Sequence, residues 1–211
     1  MTTLYQNKRT IKKNIRESIE LVSRINSLNS YASVQQKGNI YILTPIELDR
    51  IYEIAFLKIF TSWEVFLEDS FIALLCGTKN RKIKPKLIVK KINEDKAYDL
   101  LKGVKEYPDW TNIAKVIEMS ELYFVSQNPL KIPLESFRST FNEMKTVRNA
   151  ISHISKEATK KLNNLAINKL KNYSPPITPG GFLSCKSPNN VDSYIIYYAK
   201  SMRIIIDQII P

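Results

Sequence analysis

The chain has 211 residues, 44% of them apolar, with only 5 Gly and 10 Pro; that is ample for a sizeable core and excludes a disordered or fibrous composition. Lys and Arg number 32 against 20 Asp and Glu, a formal net charge of +12, which favours a polyanionic partner, nucleic acid first, through counterion release and long-range attraction. A lysine excess also arises from low-GC coding sequences, so charge alone does not decide.

Met1 to Arg9 lead into a charged amphipathic pattern and not into the apolar core of a secretory signal. The longest apolar runs, such as Phe71 to Cys76, fall far short of the roughly 18 residues that cross a bilayer. A cytoplasmic protein without a membrane partner is expected, as one domain over residues 1–211. Cys76 and Cys185 lie far apart, without metal-ligand spacing or the density of a disulfide scaffold, and are read as ordinary reduced thiols.

The elements follow from periodicity. Ile11, Ile15, Ile19, Val22, Ile25 and Leu28 recur at three- and four-residue steps and predict a long amphipathic helix. A polar stretch from Gln35 to Asn39 breaks it. Thr44-Pro45-Ile46-Glu47 then combines an N-cap, a first-position Pro and a capping-box Glu. The helix it opens should run to about Cys76, closed by Gly77, with Ile51, Ile54, Phe56, Ile59, Phe60, Trp63, Phe66, Leu67 and Phe71 around much of its circumference. This is the expected central element.

Thr78 to Lys91 is the most basic segment, with Lys79, Arg81, Lys82, Lys84, Lys86, Lys90 and Lys91 and no acid. It reads either as a solvated connection or as a phosphate-tracking, RNA-binding surface. Short helices are expected over Glu94 to Lys102, ended by Gly103, and from a capping Asp109 to about Phe124. Pro129 and Pro133 mark a loop. Leu134, Phe137, Phe141, Met144, Val147, Ile151 and Ile154 form a further helical stripe, and Ser155 to about Lys171 another helix. Tyr173 to Asn190 reads as loop, with Gly180-Gly181 as a turn because it lacks the setting of a phosphate loop. A last helix is expected from Val191 to about Ile209. No strand pattern and no internal repeat is found, so the fold class is all-α.

No Gly-x-Ser-x-Gly, Walker, His-Glu-x-x-His or Cys/His zinc pattern is present, and no cofactor is predicted; with 20 acids a carboxylate-bound magnesium site, as in a metal-dependent nuclease, stays open. With one histidine in the chain, a triad or multi-histidine site within one subunit is impossible. That histidine, His153, ends the hexad Arg148-Asn149-Ala150-Ile151-Ser152-His153. On a straight helix Arg148 and His153 diverge by about 140°, at roughly 100° per residue, so Arg148 reaches around or the helix ends between them. These residue types suit RNA transesterification, with histidine moving protons and arginine gripping phosphate by a bidentate fork. They equally suit a plain structural arrangement, in which Arg148 pairs with an acid, Asn149 bonds backbone and His153 sits at a helix end that favours its charge.

The hexad resembles the Arg-x4-6-His motif of HEPN ribonucleases, in which a polar residue, often Asn, follows the Arg. Thr61-Ser62-Trp63-Glu64-Val65-Phe66-Leu67-Glu68-Asp69 is similar to a Trp-Glu-x-Phe-Leu-Glu stretch on an earlier helix of the RiboL-PSP-HEPN group. The two matches span about Thr44 to Ile154. The resemblance implies a HEPN-like bundle of long antiparallel helices with extra short ones, a homodimer whose motifs face each other, and metal-independent endoribonuclease activity. It further implies a toxin or phage-defence effector neutralised by a neighbouring antitoxin or defence-system protein. Arg148 would bind the scissile phosphate, His153 would transfer protons, Asn149 would orient one transfer, and Glu64 would support them from the facing helix. The alternative is a non-catalytic HEPN-like module that binds RNA or protein. One departure is Ser155, where some family toxins carry a Tyr that an antitoxin modifies.

Overall fold

The computed structural model describes residues 3–35, 43–78, 85–88, 92–102, 108–170, 175–187 and 191–211. Of the described residues 77% are helical and 4% are in strands, so the fold is all-α. In chain order it contains α1 (Leu4–Gln35), α2 (Pro45–Leu75), β1 (Lys86–Leu87), α3 (Glu94–Lys102), α4 (Ile113–Tyr123), β2 (Phe124–Ser126), α5 (Lys131–Ser136), α6 (Arg138–Ser152), α7 (Lys156–Lys169), α8 (Pro179–Ser184) and α9 (Tyr194–Ile209). Residues cluster into unit 1, made of Met1–Lys12, Thr61–Phe141 and Ser201–Pro211, and unit 2, made of Lys13–Phe60 and Asn142–Lys200.

Local chemistry sets the helix ends. At α2 the expected capping box forms: the Thr44 amide donates to Glu47 Oε2 at 2.8 Å and the Glu47 amide to Thr44 Oγ1 at 3.3 Å. Those bonds from Thr44 hold the Glu47 carboxyl below its ordinary value. The other end closes as predicted, by Gly77 in the left-handed region at φ 72°. Its amide bonds Leu74 O and that of Thr78 bonds Ala73 O, both at 2.9 Å, a Schellman pattern that only glycine adopts without strain. Helix α1 starts at Leu4, not Ile11, because Thr3 and Gln6 form a second capping box, with bonds of 2.7 and 3.2 Å.

Unit 1 is built on aromatic packing. Trp63, fully buried, lies 4.7 Å from Phe141 and 5.6 Å from Phe66 between ring centres, and Phe71 packs on Trp110 and Phe124. Lys8 and Lys12 meet Asp207 at 2.8 and 2.5 Å, joining the first turns of α1 to the end of α9. Burial opposes the Asp207 charge, but the hydrogen bonds from Lys12 and Lys8 outweigh it and hold the carboxyl below its usual value. The pair β1 and β2 is antiparallel, with Lys86 opposite Ser126 and Leu87 opposite Phe124. Unit 2 packs Phe56 against Phe60 and Tyr198, and Phe182 stacks on Tyr194 at 4.5 Å. Ile15, Val22, Ile59, Met144, Val147 and Leu162 complete that core.

Several expectations are corrected. Two strands exist where none was expected, because elements of two and three residues are too short to show alternation. Asn112, and not Asp109, caps α4; the Asp109 carboxylate is taken by the Thr111 amide and hydroxyl. Pro133 lies inside α5 and not in a loop, at its third position, where the backbone N–H has no helical partner to lose. Gly180 and Gly181 belong to α8 and not to a turn, with Thr178 as N-cap and Pro179 first. Ile54 and Leu28, expected in the core, are 64% and 50% exposed. Gly103 lies outside the described residues.

Within unit 2, α8 rests directly on α2. A Cβ on Gly180 would stand 2.2 Å from the Asp49 carbonyl oxygen, the Gly180 amide donates to Glu53 Oε1 at 3.1 Å, and the Thr178 hydroxyl bonds Asp49. Gly180→Ala should therefore destabilise the protein by about 1–3 kcal/mol through overpacking; urea unfolding checks this, and an unchanged midpoint would refute it. Burial pushes the Glu53 carboxyl up against the opposing pull of the Gly180 amide. A carboxyl raised on folding costs stability only once it ionises, so the cost is absent in acid and grows as pH rises past the ordinary carboxylate range. Glu53→Gln, which keeps the acceptor, should be the more stable protein at neutral pH and lose that advantage in acid, as unfolding over a pH series will show.

Candidate functional site

The hexad lies in unit 2 on the last turn and a half of α6. Met144 and Val147 are buried, and this stripe fixes the rotation of the helix, leaving Arg148 and Asn149 half-buried at its flank. Arg148 Nη1 donates to Asn149 Oδ1 at 3.3 Å. The helix then ends at Ser152. The His153 amide still bonds Asn149 O at 2.9 Å, the Ser155 amide bonds His153 O at 2.9 Å, and Ser155, extended at φ −131° and ψ 149°, caps α7 by accepting from the Ala158 amide. His153 thus sits in a three-residue elbow, exposed to solvent. Ile154, expected on the buried stripe, lies in the same elbow and is 105% exposed.

Glu64 is half-buried in the middle of α2, in unit 1, whereas the hexad belongs to unit 2. Its neighbours Trp63, Phe66 and Leu67 are fully buried, so the pattern of that stretch is written largely by core packing. Of the seven basic residues between Lys79 and Lys91, Lys86 is exposed on β1. The remaining six, Lys79, Arg81, Lys82, Lys84, Lys90 and Lys91, lie outside the described residues. Cys76 and Cys185 are free thiols, and burial pushes the Cys185 thiol up.

Two charged clusters went unread in the sequence. Glu143, the one acid of α6, lies beside the buried Met144 with its side chain only 12% exposed. It is satisfied by Lys169 Nζ at 2.5 Å and by the Tyr198 hydroxyl, which donates to Oε2 at 3.3 Å. Burial and then Glu143 push the Tyr198 phenol up, and the same causes push Tyr194 up to about 12; both phenols are protonated donors at neutral pH. No spacing signal marked Glu143, which lies off the stripe through Phe141, Met144 and Val147. In unit 1, burial raises the Glu68 and Asp69 carboxyls. Among the described residues no group of three His, Cys, Asp or Glu side chains is arranged to hold a metal ion, and no helix is long and apolar enough to cross a membrane.

Comparison with known proteins gives no relative: no family model, no curated protein and no solved structure matches the chain.

What the site offers chemically is a fixed cation beside a neutral amide on a helix flank, followed by an imidazole on an exposed turn. Because His153 is exposed, His153→Ala should change stability by less than about 0.5 kcal/mol. Thermal unfolding measures this, and a severe fall in melting temperature would make His153 a packing residue.

Proposed function

We propose that this chain is a HEPN-type endoribonuclease that cleaves RNA without a metal ion. The observation that supports the reading is that the Arg148 guanidinium, half-buried near the end of α6, bonds Asn149 Oδ1, while His153 is exposed on the turn that follows. The 2′-oxygen attacks the adjacent phosphorus as the bond from phosphorus to the 5′-oxygen breaks, giving a 2′,3′-cyclic phosphate and a 5′-hydroxyl. A base takes the 2′-hydroxyl proton and an acid supplies one to the leaving oxygen. His153 is the proton-transfer group, Arg148 steadies the charge growing on the phosphate, and Asn149 orients them.

Two proton transfers and one histidine per chain call for a homodimer, with the two His153 rings across a shared cleft. The basic segment from Lys79 to Lys91 adds affinity without chemistry. The reading extends to a cytoplasmic toxin or phage-defence effector held silent by a partner protein.

Purified protein should cut RNA in the presence of chelator. Arg148→Ala should lower the rate ~10²- to 10³-fold and His153→Ala ~10²- to 10⁴-fold, with both variants folded. Wild-type rates in both would sink the reading. Loss of activity in chelator would point to a metal-dependent nuclease, and binding without cleavage to a non-catalytic module. Sedimentation should find a dimer; a strictly monomeric active protein would overturn the shared cleft.

A further inference from the structure

We propose that the elbow between α6 and α7, continued by the outer face of α7, is the track along which a single-stranded RNA enters the Arg148 and His153 site; this rests on the ribonuclease reading above. Three observations, all within unit 2, carry it. Ile154 follows His153 directly and, at 105% exposure, is the most exposed large apolar side chain among the described residues. Its backbone is held on both sides, by the bonds from His153 N–H to Asn149 O and from Ser155 N–H to His153 O, both 2.9 Å. Lys156 and Lys160 come next, both exposed and one turn apart on α7.

Those two lysines differ from their neighbour. Lys161 pairs with Glu157 at 2.7 Å, whereas Lys156 and Lys160 have no ion-pair partner among the described residues. They stand about 6 Å apart along the axis, four residues at 1.5 Å each, a span that one nucleotide of an extended strand covers. Asn164 continues the same stripe, exposed, while Leu162 and Ala166 bury the opposite side.

The chemistry of the partner follows from this pairing of an apolar tip with a row of free cations. Lysines act on phosphates as point charges and carry no sequence information. An apolar side chain inserted between bases unstacks them, and a single strand presents base faces that a duplex hides. Unstacking next to His153 also serves cleavage, because a stacked strand does not align the 2′-oxygen with the departing 5′-oxygen. A merely solvated helix face explains the lysines but leaves the isoleucine, on a hydrogen-bonded turn, without a role.

The test uses the full chain and a 2′-O-methyl RNA strand, which cannot be cleaved, followed by fluorescence anisotropy over a salt series, alone and as a duplex. The single strand should bind better than the duplex. Lys156→Ala with Lys160→Ala should weaken binding roughly tenfold and reduce the salt slope by about 1.4, at ~0.7 per phosphate contact for single strands. Ile154→Ala should slow cleavage of the unmodified strand roughly tenfold, with unchanged melting temperature. Wild-type affinity and slope in the double lysine variant, or equal binding of duplex, overturns the track. If Ile154→Ala instead dissociates a dimer, the elbow is a protein contact and the track is equally overturned. Failure of the ribonuclease reading shows separately, as wild-type cleavage by His153→Ala, since the binding assay requires no cleavage.

Discussion

Residues five apart on a helix diverge by about 140°, and the His153 amide still bonds Asn149 O as in a helix, so joint action with His153 asks the long Arg148 side chain to reach around the end of α6, which stops at Ser152. Neither glycine nor proline stops it. The stop comes from a competing start: Ser155 adopts an extended backbone and gives its side chain to the Ala158 amide, with Glu157 in the first turn of α7, where a negative charge is favourable. A strong N-terminus three residues past Ser152 leaves the intervening residues no helical conformation to share, and the elbow is the result. Replacing Ser155 by a good helix former would remove that competition and let the two helices fuse, taking away the exposed turn that carries Ile154.

Charge follows a second constraint. Several carboxylates meet a lysine: Glu17 with Lys58, Glu121 with Lys131, Glu143 with Lys169, Asp192 with Lys200, and Asp207 with Lys8 and Lys12. Exposed pairs of this kind contribute little stability, typically below about 1 kcal/mol. Glu143 and Asp192 differ because their side chains are almost covered, at 12% and 13% exposure; removing Lys169 or the Tyr198 hydroxyl would leave Glu143 a poorly solvated carboxylate. The net charge of +12 is the excess of 32 lysines and arginines over 20 acids, and it favours a polyanionic partner.

The sequence was most legible where a local rule acts alone. The Thr44 and Glu47 box, the Gly77 stop, the bounds of α3 and the stripe through Phe141, Met144 and Val147 all follow from spacing and capping chemistry. It was least legible where two signals overlap. Ile154 continues the three- and four-residue rhythm of α6, yet Ser155 breaks the helix first and strands that side chain in solvent. Thr178-Pro179 repeats the start signal of Thr44-Pro45, but the glycine pair behind it reads as a turn until the backbone of Asp49 is seen pressed against Gly180. The glycine is there for close approach, which no single-chain periodicity reports. Within the hexad the sequence supplies the residue types, while the break that follows it is a contest between two helices.

The choice of amide at position 149 adds a last step. Asn149 Oδ1 accepts from Arg148 Nη1, so the side chain directs the guanidinium without carrying charge. An aspartate there would hold the same nitrogen more tightly by a charge-assisted bond, but it would cancel the charge that a phosphate is meant to meet. An alanine would leave the charge intact but remove this bond to the guanidinium, and with it part of the order the long side chain brings to a substrate. The neutral acceptor separates these two effects: it supplies direction and leaves the field of the cation in place. For a residue whose proposed task is to stabilise charge as it develops on phosphorus, orientation fixed in advance is what makes electrostatic stabilisation effective, and Asn149 is suited to provide it from one residue away.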